Sequence, residues 1–315
     1  MKLPVAIGIC GVLAFSAVLL VGSVQQPLTP LRVFGNTSTI ELSPVFAAAN
    51  GIYPGQITVS NGGIPNIVSG DADVATNAET QLLRQSVDNP DLRVIFTVAE
   101  SFYRIVARKS AGIQTVADLK GKRITTPGNT SAAYFLARML ATANLTESDV
   151  TIVATNGTQM AAALKDGRVD AVAMWEPEAE RAIDAVGSDA IVLQDRRVYR
   201  ELFNLNTSTR VLANPEKRRA VVQFLRSLIT ASERMRATPQ EFWPFLSTKL
   251  NYPPELIAKC WPELRYAGSM ANDLLDVMEQ EDQWVAKERN RAPRTRAQLT
   301  PLIDDSLLKE ALRGN

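Results

Sequence analysis

The chain has 315 residues, 46% of them apolar and 21% charged, which is long enough for two domains of ordinary size. Its 34 basic and 33 acidic residues give a net charge of +1, which argues against nucleic acid as a partner. The sequence has no histidine, which excludes Ser-His-Asp and Cys-His catalytic sites and disfavours zinc or non-haem iron. We therefore expect no metal site and no cofactor.

The N-terminus has the pattern of an export signal. In residues 1–23, Lys2 is followed by an apolar stretch, and the small residues Val21 and Ser23 suit cleavage after Ser23. The stretch is also close to the ~20 residues that cross a bilayer, so an uncleaved membrane anchor stays open as an alternative. Residues 24–30 contain two prolines and are predicted to form a tether. The expected location is the periplasm or another extracytoplasmic space.

From Leu31 onward, short strand-like runs alternate with helical stretches. Asn50-Gly51 and Gly70 are predicted to end helices. The predicted strands are 31–35, 56–60, 72–76, 123–126, 151–154, 171–174 and 190–193, with two further apolar runs at 93–99 and 103–108. The predicted helices are 41–50, 64–69, 79–87, 131–143, 159–165 and 178–186.

From residue 215 the pattern is mostly helical, with amphipathic stretches at 219–236 and 272–288. The highly charged segment 287–296 is interpreted as a solvated surface. Alternation of strands and helices predicts open α/β sheets, so the chain is predicted to form two α/β units and a helical C-terminal third.

Three segments carry a resemblance to a known family. Residues 116–140 read VADLKGKRITTPGNTSAAYFLARML, 159–177 read QMAAALKDGRVDAVAMWEP, and 64–76 read IPNIVSGDADVAT. Taken together, and in the order in which they follow one another along the chain, these segments resemble the nitrate-, sulfonate- and taurine-type substrate-binding proteins of ABC importers. This group is the NMT1/THI5-like (thiamine-precursor-synthase-like) family. The resemblance covers about residues 31–224.

The resemblance implies an α/β fold of the type II periplasmic-binding-protein class, with two lobes joined by two crossing strands. Lobe one would comprise 31–106 plus 207–315, and lobe two 107–206 with the return crossing. It also implies the solute-binding subunit of an ABC importer, a monomer that captures a small anionic or zwitterionic solute by hinge closure and then docks on an inner-membrane permease. Sulfonates, taurine, nitrate and thiamine precursors are the implied ligand classes.

Ligands of open α/β sheets bind beyond the carboxyl ends of the strands, where the chain turns into helices. The predicted ligand-binding residues in such loops are Ser38, Thr39, Asn77, Gly128, Asn129, Thr130, Ser131, Trp175 and Glu176. In the 128–131 loop, glycine permits close approach, and hydroxyls and free amides favour an anion. The alternative is a plain helix cap, which also applies to Ser38 and Thr39, and for Asn77 an Asx-turn.

Two of these residues suggest more specific roles. Trp175 could pack on a ligand or fill the core. Glu176 beside the cleft would bind a cationic group of a zwitterionic ligand. The alternative for Glu176 is an interlobe salt bridge or a charge at a helix start. Arg104, near the first crossing, could pair with an anion, although a surface role is the stronger expectation.

Two other functions remain open. The family includes enzymes that make a thiamine pyrimidine with a histidine and a cysteine-rich motif, but this chain has no histidine and two cysteines. A carboxylate-dependent enzyme on the same fold is still an alternative. A membrane-tethered ligand sensor is another, if residues 1–23 stay uncleaved. We expect a binding protein and not an enzyme.

Overall fold

The computed structural model describes Met1 and residues 27–313, so the predicted signal or anchor and the start of the tether lie outside the described residues. The strands are β1 (Leu31–Gly35), β2 (Ile57–Asn61), β3 (Val74–Ala78), β4 (Leu92–Ser101), β5 (Arg104–Arg108), β6 (Arg123–Thr125), β7 (Thr151–Ile152), β8 (Ala171–Met174), β9 (Ala190–Leu193), β10 (Glu201–Ser208) and β11 (Leu264–Arg265).

The helices lie between the strands and dominate the C-terminal third, as predicted. They are α1 (Ser43–Ala49), α2 (Ile64–Ser69), α3 (Glu79–Gln85), α4 (Ser131–Ala141), α5 (Met160–Lys165), α6 (Glu178–Val186), α7 (Thr209–Leu212), α8 (Pro215–Ala237), α9 (Trp243–Leu250), α10 (Pro254–Cys260), α11 (Leu274–Glu288), α12 (Arg296–Leu299) and α13 (Ser306–Leu312). Among residues 27–313, none of the helices is both long and apolar enough to cross a membrane.

The strands form two mixed sheets, one in each lobe. The first has the order β11-β4-β10-β3-β1-β2 and the second β7-β6-β8-β5-β9. In the first sheet β1 runs parallel to β2 and β3, and β10 runs antiparallel between β3 and β4. In the second, β6 is parallel to β7 and β8, and β5 is antiparallel to β8 and β9. The two-lobed α/β architecture expected from the sequence is confirmed.

The strand pairing shifts the predicted lobe boundaries. Lobe one was expected to run to residue 106, but β5 already pairs with β8 and β9 in the second sheet. Lobe two was expected to run to residue 206, but β10 is inserted in the first sheet, with all eight residues buried. The chain therefore crosses between the lobes at 102–103 and returns at 194–200.

The C-terminal helices complete the first lobe by covering its sheet. Helix α8 packs against α1 and α13, and α11 packs against α3. Phe224 of α8 is fully buried, with its ring edge-on to Tyr53 at 5.8 Å between centroids. Burying one such side chain contributes about 1.5–3 kcal/mol. These helices therefore stabilise the first sheet, whose strands end at the space between the lobes.

The charged segment 287–296 is not simply a solvated surface, as the sequence had suggested. Arg291 and Arg294 turn inward and bind Asp282 of α11, whose side chain is fully buried. Asp282 also accepts a hydrogen bond from the main-chain N–H of Arg294 over 2.6 Å. A buried carboxylate requires charged or hydrogen-bonded partners, which explains why the following segment folds back onto α11.

Candidate functional site

A cavity of about 270 Å³ lies between the two lobes. Such a volume is just below the usual range for ligand sites, about 300–1,000 Å³, and suits a small solute. The first lobe contributes Asn36, Thr39, Glu41, Asn77, Ala78, Gln81, Glu201 and Phe203. The first crossing contributes Tyr103, and the second lobe contributes Asn129, Thr130, Ser131 and Trp175.

Most of the lining lies at or just beyond the carboxyl ends of parallel strands, where α/β sheets bind ligands. Asn36 follows β1, Asn77 and Ala78 end β3, the 129–131 loop follows β6, and Trp175 follows β8. The cavity thus brings together six of the predicted residues, Thr39, Asn77, Asn129, Thr130, Ser131 and Trp175. The predicted residues Ser38, Gly128 and Glu176 are not part of its lining.

Two buried carboxyls, Glu41 and Glu201, line the cavity from the first lobe. Each residue is only 3% exposed, and their side chains contact one another. Thr39 donates a hydrogen bond from its hydroxyl to Glu41 Oε2. Apart from a proton shared within the pair, Glu41 Oε1 and Glu201 Oε2 receive no hydrogen bond from any group in residues 27–313.

The ionisation of this pair is strongly perturbed. Burial raises the pKa of Glu41 above its ordinary value. Burial, followed by the nearby charges of Glu41 and Glu79, raises the pKa of Glu201 well above its ordinary value. Two buried carboxyls in contact cannot both ionise without strong repulsion, so we expect them to share one proton near neutral pH.

A second carboxyl pair, Glu79 and Glu281, lies next to the first, and both residues are fully buried. Glu79 accepts hydrogen bonds from the Tyr199 hydroxyl over 3.2 Å and from the Leu202 main-chain N–H over 3.1 Å. Burial and then the charge of Glu79 raise the pKa of Glu281 well above its ordinary value. Glu79 is therefore the better placed of the two to carry the negative charge.

Aromatic rings form the apolar part of the cavity wall. Tyr103, Trp175 and Phe203 all line it, and the rings of Tyr103 and Trp175 lie 5.8 Å apart between centroids. The Tyr103 hydroxyl is 2.9 Å from Ser131 Oγ, so the first crossing is joined to the start of α4. Trp175 is half-buried and belongs to both the cavity wall and the neighbouring core.

The loop before α4 differs in detail from its prediction. Thr130 donates its hydroxyl proton to the Pro127 carbonyl over 2.7 Å and does not cap the helix through its side chain. Gly128 does not line the cavity, and a Cβ atom there would meet no protein atom within 4 Å. Asn129, at φ 58°, accepts a hydrogen bond on its main-chain oxygen from Gln81 Nε2 over 2.8 Å. This bond joins the two lobes at the cavity.

The structure corrects the predicted position of Glu176. Its side chain is fully buried outside the cavity, where Oε1 is 2.8 Å from Arg104 Nε and Oε2 accepts the Glu180 main-chain N–H over 3.1 Å. Burial raises the pKa of Glu176 to about 7, although Arg104 acts in the opposite direction. Arg104 is also not on the surface, being 8% exposed, because β5 is a central strand of the second sheet.

The other polar residues of the first lobe have structural partners. Asn77 Oδ1 accepts the Ile64 main-chain N–H over 2.7 Å at the start of α2, so Asn77 lines the cavity and also holds this helix. The Ser38 hydroxyl donates to Asn36 Oδ1 over 2.7 Å and is exposed.

Seven lining residues were not among the predicted ligand-binding residues, namely Asn36, Glu41, Ala78, Gln81, Tyr103, Glu201 and Phe203. Glu41 lies in a 3-10 turn directly after a predicted loop, and its burial could have been suspected from its apolar neighbours. Glu201 and Phe203 lie on β10, which was expected as part of the return crossing and not as a strand within the first sheet. None of the thirteen lining residues, all within 27–313, is Lys or Arg.

Comparison with known proteins supports the fold and the family. The chain aligns at a TM-score of 0.72 and 19% identity with the periplasmic aliphatic sulphonate binding protein SsuA from Escherichia coli, over 85% of this chain and 91% of that one. The periplasmic nitrate-binding protein NrtA from Synechocystis PCC 6803 aligns at 0.71 and 14% identity, over 91% and 89% of the two chains. The desulfurization enzyme DSZB aligns at 0.64 and 16% identity, over 90% and 99%.

At these identities the structural alignments establish a shared fold, that of the periplasmic binding proteins. The sequence adds a direct match, because the model of the family described as NMT1/THI5 like aligns with residues 57–242, more than half of the chain. The match spans both crossings and most of the cavity lining. The chain belongs to the NMT1/THI5-like family.

Proposed function

We propose that this protein is the solute-binding subunit of an ABC importer and that it captures a small solute in the cavity between its lobes. The observation that carries this proposal is the composition of the cavity wall, to which both lobes and the first crossing contribute. A ligand there touches both lobes at once and stabilises their closed arrangement, as hinge closure requires.

The family and its structural relatives support the same proposal. Two of the relatives are periplasmic binding proteins, for an aliphatic sulphonate and for nitrate. By analogy, the protein works outside the cytoplasmic membrane as a monomer and delivers its cargo to a permease. Binding and release then require no covalent chemistry, no cofactor and no nucleic acid.

The lining narrows the expected ligand class. A bare anion such as nitrate would lie near Glu41 and Glu201 with no lining Lys or Arg to compensate. A zwitterionic solute can place its negative group at the 129–131 loop and its positive group at the carboxyls. Of the two classes expected from the sequence, the zwitterionic one fits this cavity better.

Ligand-induced stabilisation tests the capture function. The protein is screened by thermal shift against taurine, alkanesulfonates, nitrate, bicarbonate and pyrimidine precursors. A ligand at 100 times its dissociation constant stabilises the folded state by about 2.7 kcal/mol. We expect a selective shift that is lost when Thr130 and Ser131 are both changed to alanine, together with compaction in small-angle X-ray scattering. No selective shift with any solute, in protein freed of carried-over ligand, would count against solute capture.

A carboxylate-dependent enzyme is the second candidate, and it is favoured by one observation. Buried carboxyls of raised pKa that line a cavity are typical of general acids and bases. The relative DSZB is an enzyme on this fold. Incubation of the protein with each stabilising solute, followed by mass spectrometry, separates the two functions. An importer subunit returns the solute unchanged, whereas an enzyme converts it.

A further inference from the structure

We propose that the natural ligand carries a positively charged organic nitrogen, an ammonium or amidinium group, which binds between Glu41 and Glu201 and displaces the proton that they share. This inference rests on the proposed capture function, because it identifies the chemical class of solute that the same cavity takes. It requires a cationic group, which a zwitterion carries and a bare anion lacks, and so it narrows the anionic and zwitterionic solutes that the family resemblance implied.

The first argument is the unmet hydrogen-bonding capacity of the pair. Glu41 and Glu201 are more than nine-tenths buried and both line the cavity, and each has a carboxyl oxygen whose only possible partner within residues 27–313 is the single proton that the pair shares. Buried carboxyl oxygens normally have partners. A ligand with N–H donors, or with a positive charge, supplies what these oxygens lack.

The second argument is the charge of the surroundings. The groups that face Glu41 and Glu201 from neighbouring elements are acidic or hydroxylic, namely Thr39, Glu79, Ser101, Tyr103, Tyr199, Tyr266 and Glu281. No Lys or Arg is among them or among the lining residues, although the positive charge of Arg138 acts on Glu281 and opposes the rise of its pKa. The cavity therefore has a negative potential unless its carboxyls are protonated. A bound cation offsets the repulsion between the ionised carboxylates.

The third argument is the aromatic part of the cavity wall. Tyr103, Trp175 and Phe203 line the same cavity, and aromatic faces attract organic cations, particularly where water is excluded. Carboxyls and aromatic faces together form an environment that does not attract a sulfonate or nitrate group. An alkylammonium or amidinium ligand interacts favourably with both the carboxyls and the aromatic faces.

The proton balance gives the inference a measurable signature. In the free protein the pair holds one proton between two carboxyls. When the cation binds, both carboxyls ionise, and the proton passes to the buffer. Affinity for a ligand of constant charge must therefore increase with pH, and binding must release up to about one proton at neutral pH.

Choline is the first probe, because its quaternary nitrogen stays positive at every pH and only the protein can release a proton. Protein produced from the full-length gene is titrated with choline, ethylammonium and benzamidinium by calorimetry, in two buffers that differ in ionisation enthalpy. Ethanesulfonate, taurine and nitrate are titrated in parallel. We expect selective binding of at least one of the cations, with proton release and with affinity that increases from about pH 5 to pH 8.

The isosteric variant Glu201→Gln separates charge from shape. It should weaken cation binding by about tenfold or more and abolish the proton release, because the amide holds Glu41 in its ionised form. The matched control is Glu176→Gln, which changes another buried glutamate of raised pKa that lies outside the cavity. It should leave cation affinity and proton release unchanged.

The possible results distinguish this inference from the function on which it rests. Binding of ethanesulfonate or nitrate without any binding of the cations overturns the inference and leaves solute capture standing. Cation binding that releases no proton, or that survives Glu201→Gln unchanged, also overturns it. If neither cations nor anions bind, both the inference and solute capture at this cavity are contradicted.

Discussion

Gln81 of α3 in the first lobe donates a hydrogen bond through Nε2 to the main-chain oxygen of Asn129 in the second lobe, over 2.8 Å. Both residues line the cavity, so the bond closes one side of it. Because Asn129 offers its main-chain oxygen, substitutions at Asn129 preserve the acceptor. The side chain that controls this contact is therefore Gln81.

Replacement of Gln81 by alanine should weaken ligand retention without harming the fold. A neutral hydrogen bond contributes about 1 kcal/mol, which corresponds to roughly fivefold in the dissociation constant. We expect this change mainly in the dissociation rate, measured by stopped-flow tryptophan fluorescence with a stabilising ligand. The melting temperature should stay close to that of the unmodified protein. An unchanged dissociation rate would show that the interlobe bond does not hold the cleft closed.

Tyr103→Phe should shift the pH dependence of cation binding to higher pH. The Tyr103 hydroxyl contacts Glu201 and lowers the pKa of that carboxyl, in opposition to its burial. Without the hydroxyl, the pair holds its proton to a higher pH, so affinity for choline reaches its maximum at a higher pH. Calorimetric titrations with choline at a series of pH values give the pH at which the affinity is half-way to its maximum. A midpoint that stays in place or moves to lower pH contradicts the assignment of Tyr103.

Glu281→Gln should make the protein more resistant to alkaline conditions. Burial raises the pKa of Glu281 well above its ordinary value, so the folded state keeps this group protonated where the unfolded chain has already ionised it. The contribution of Glu281 to the free energy of unfolding is therefore fully present below its pKa in the unfolded chain, about 4.3. That contribution is lost as the pH rises through its pKa in the folded protein. Glutamine cannot ionise and avoids that loss.

Thermal unfolding measured across the pH range tests the direction of this pH dependence. The melting temperature of Glu281→Gln relative to the unmodified protein should rise with increasing pH. Glu279 lies on the same helix with its side chain 40% exposed, so Glu279→Gln supplies a matched control for a carboxylate that water reaches. A difference that falls with pH would mean that Glu281 is already ionised in the folded protein.

Asp282→Asn should be strongly destabilising. Although burial opposes its ionisation, hydrogen bonds from Arg291 and Arg294 lower the pKa of Asp282 below its ordinary value. Loss of this charge leaves two half-buried guanidinium groups without their anion, at a cost of about 3–5 kcal/mol. Urea denaturation measures the change in the free energy of unfolding.

An exposed carboxylate on the same helix, Asp276, provides the comparison for Asp282. Asp276 is bound to Arg296, and both side chains are more than half exposed. Exposed ion pairs contribute little because water screens them, so Asp276→Asn should leave the denaturation midpoint nearly unchanged. Equal effects of the two substitutions would contradict the burial argument.

The sequence by itself determined the local architecture. Helix α2 runs over Ile64–Ser69 and ends at Gly70, with φ 87°, as predicted, because glycine adopts the left-handed conformation without strain. Strands β1, β8 and β9 have their predicted bounds. The same patterns located Asn77, the 129–131 loop and Trp175 at the cavity, since the carboxyl end of a strand is recognisable from the strand itself.

Only the tertiary structure decided which side chains face the ligand. Glu41 and Glu201 are far apart in the chain and meet because β10 inserts between β3 and β4, a pairing that no local pattern encodes. Glu176 follows the same strand as Trp175, but it turns to Arg104, and the sequence could not choose between these directions. Periodicity reports which residues are buried along one element, whereas the charge of a cleft depends on contacts between elements that are distant in sequence.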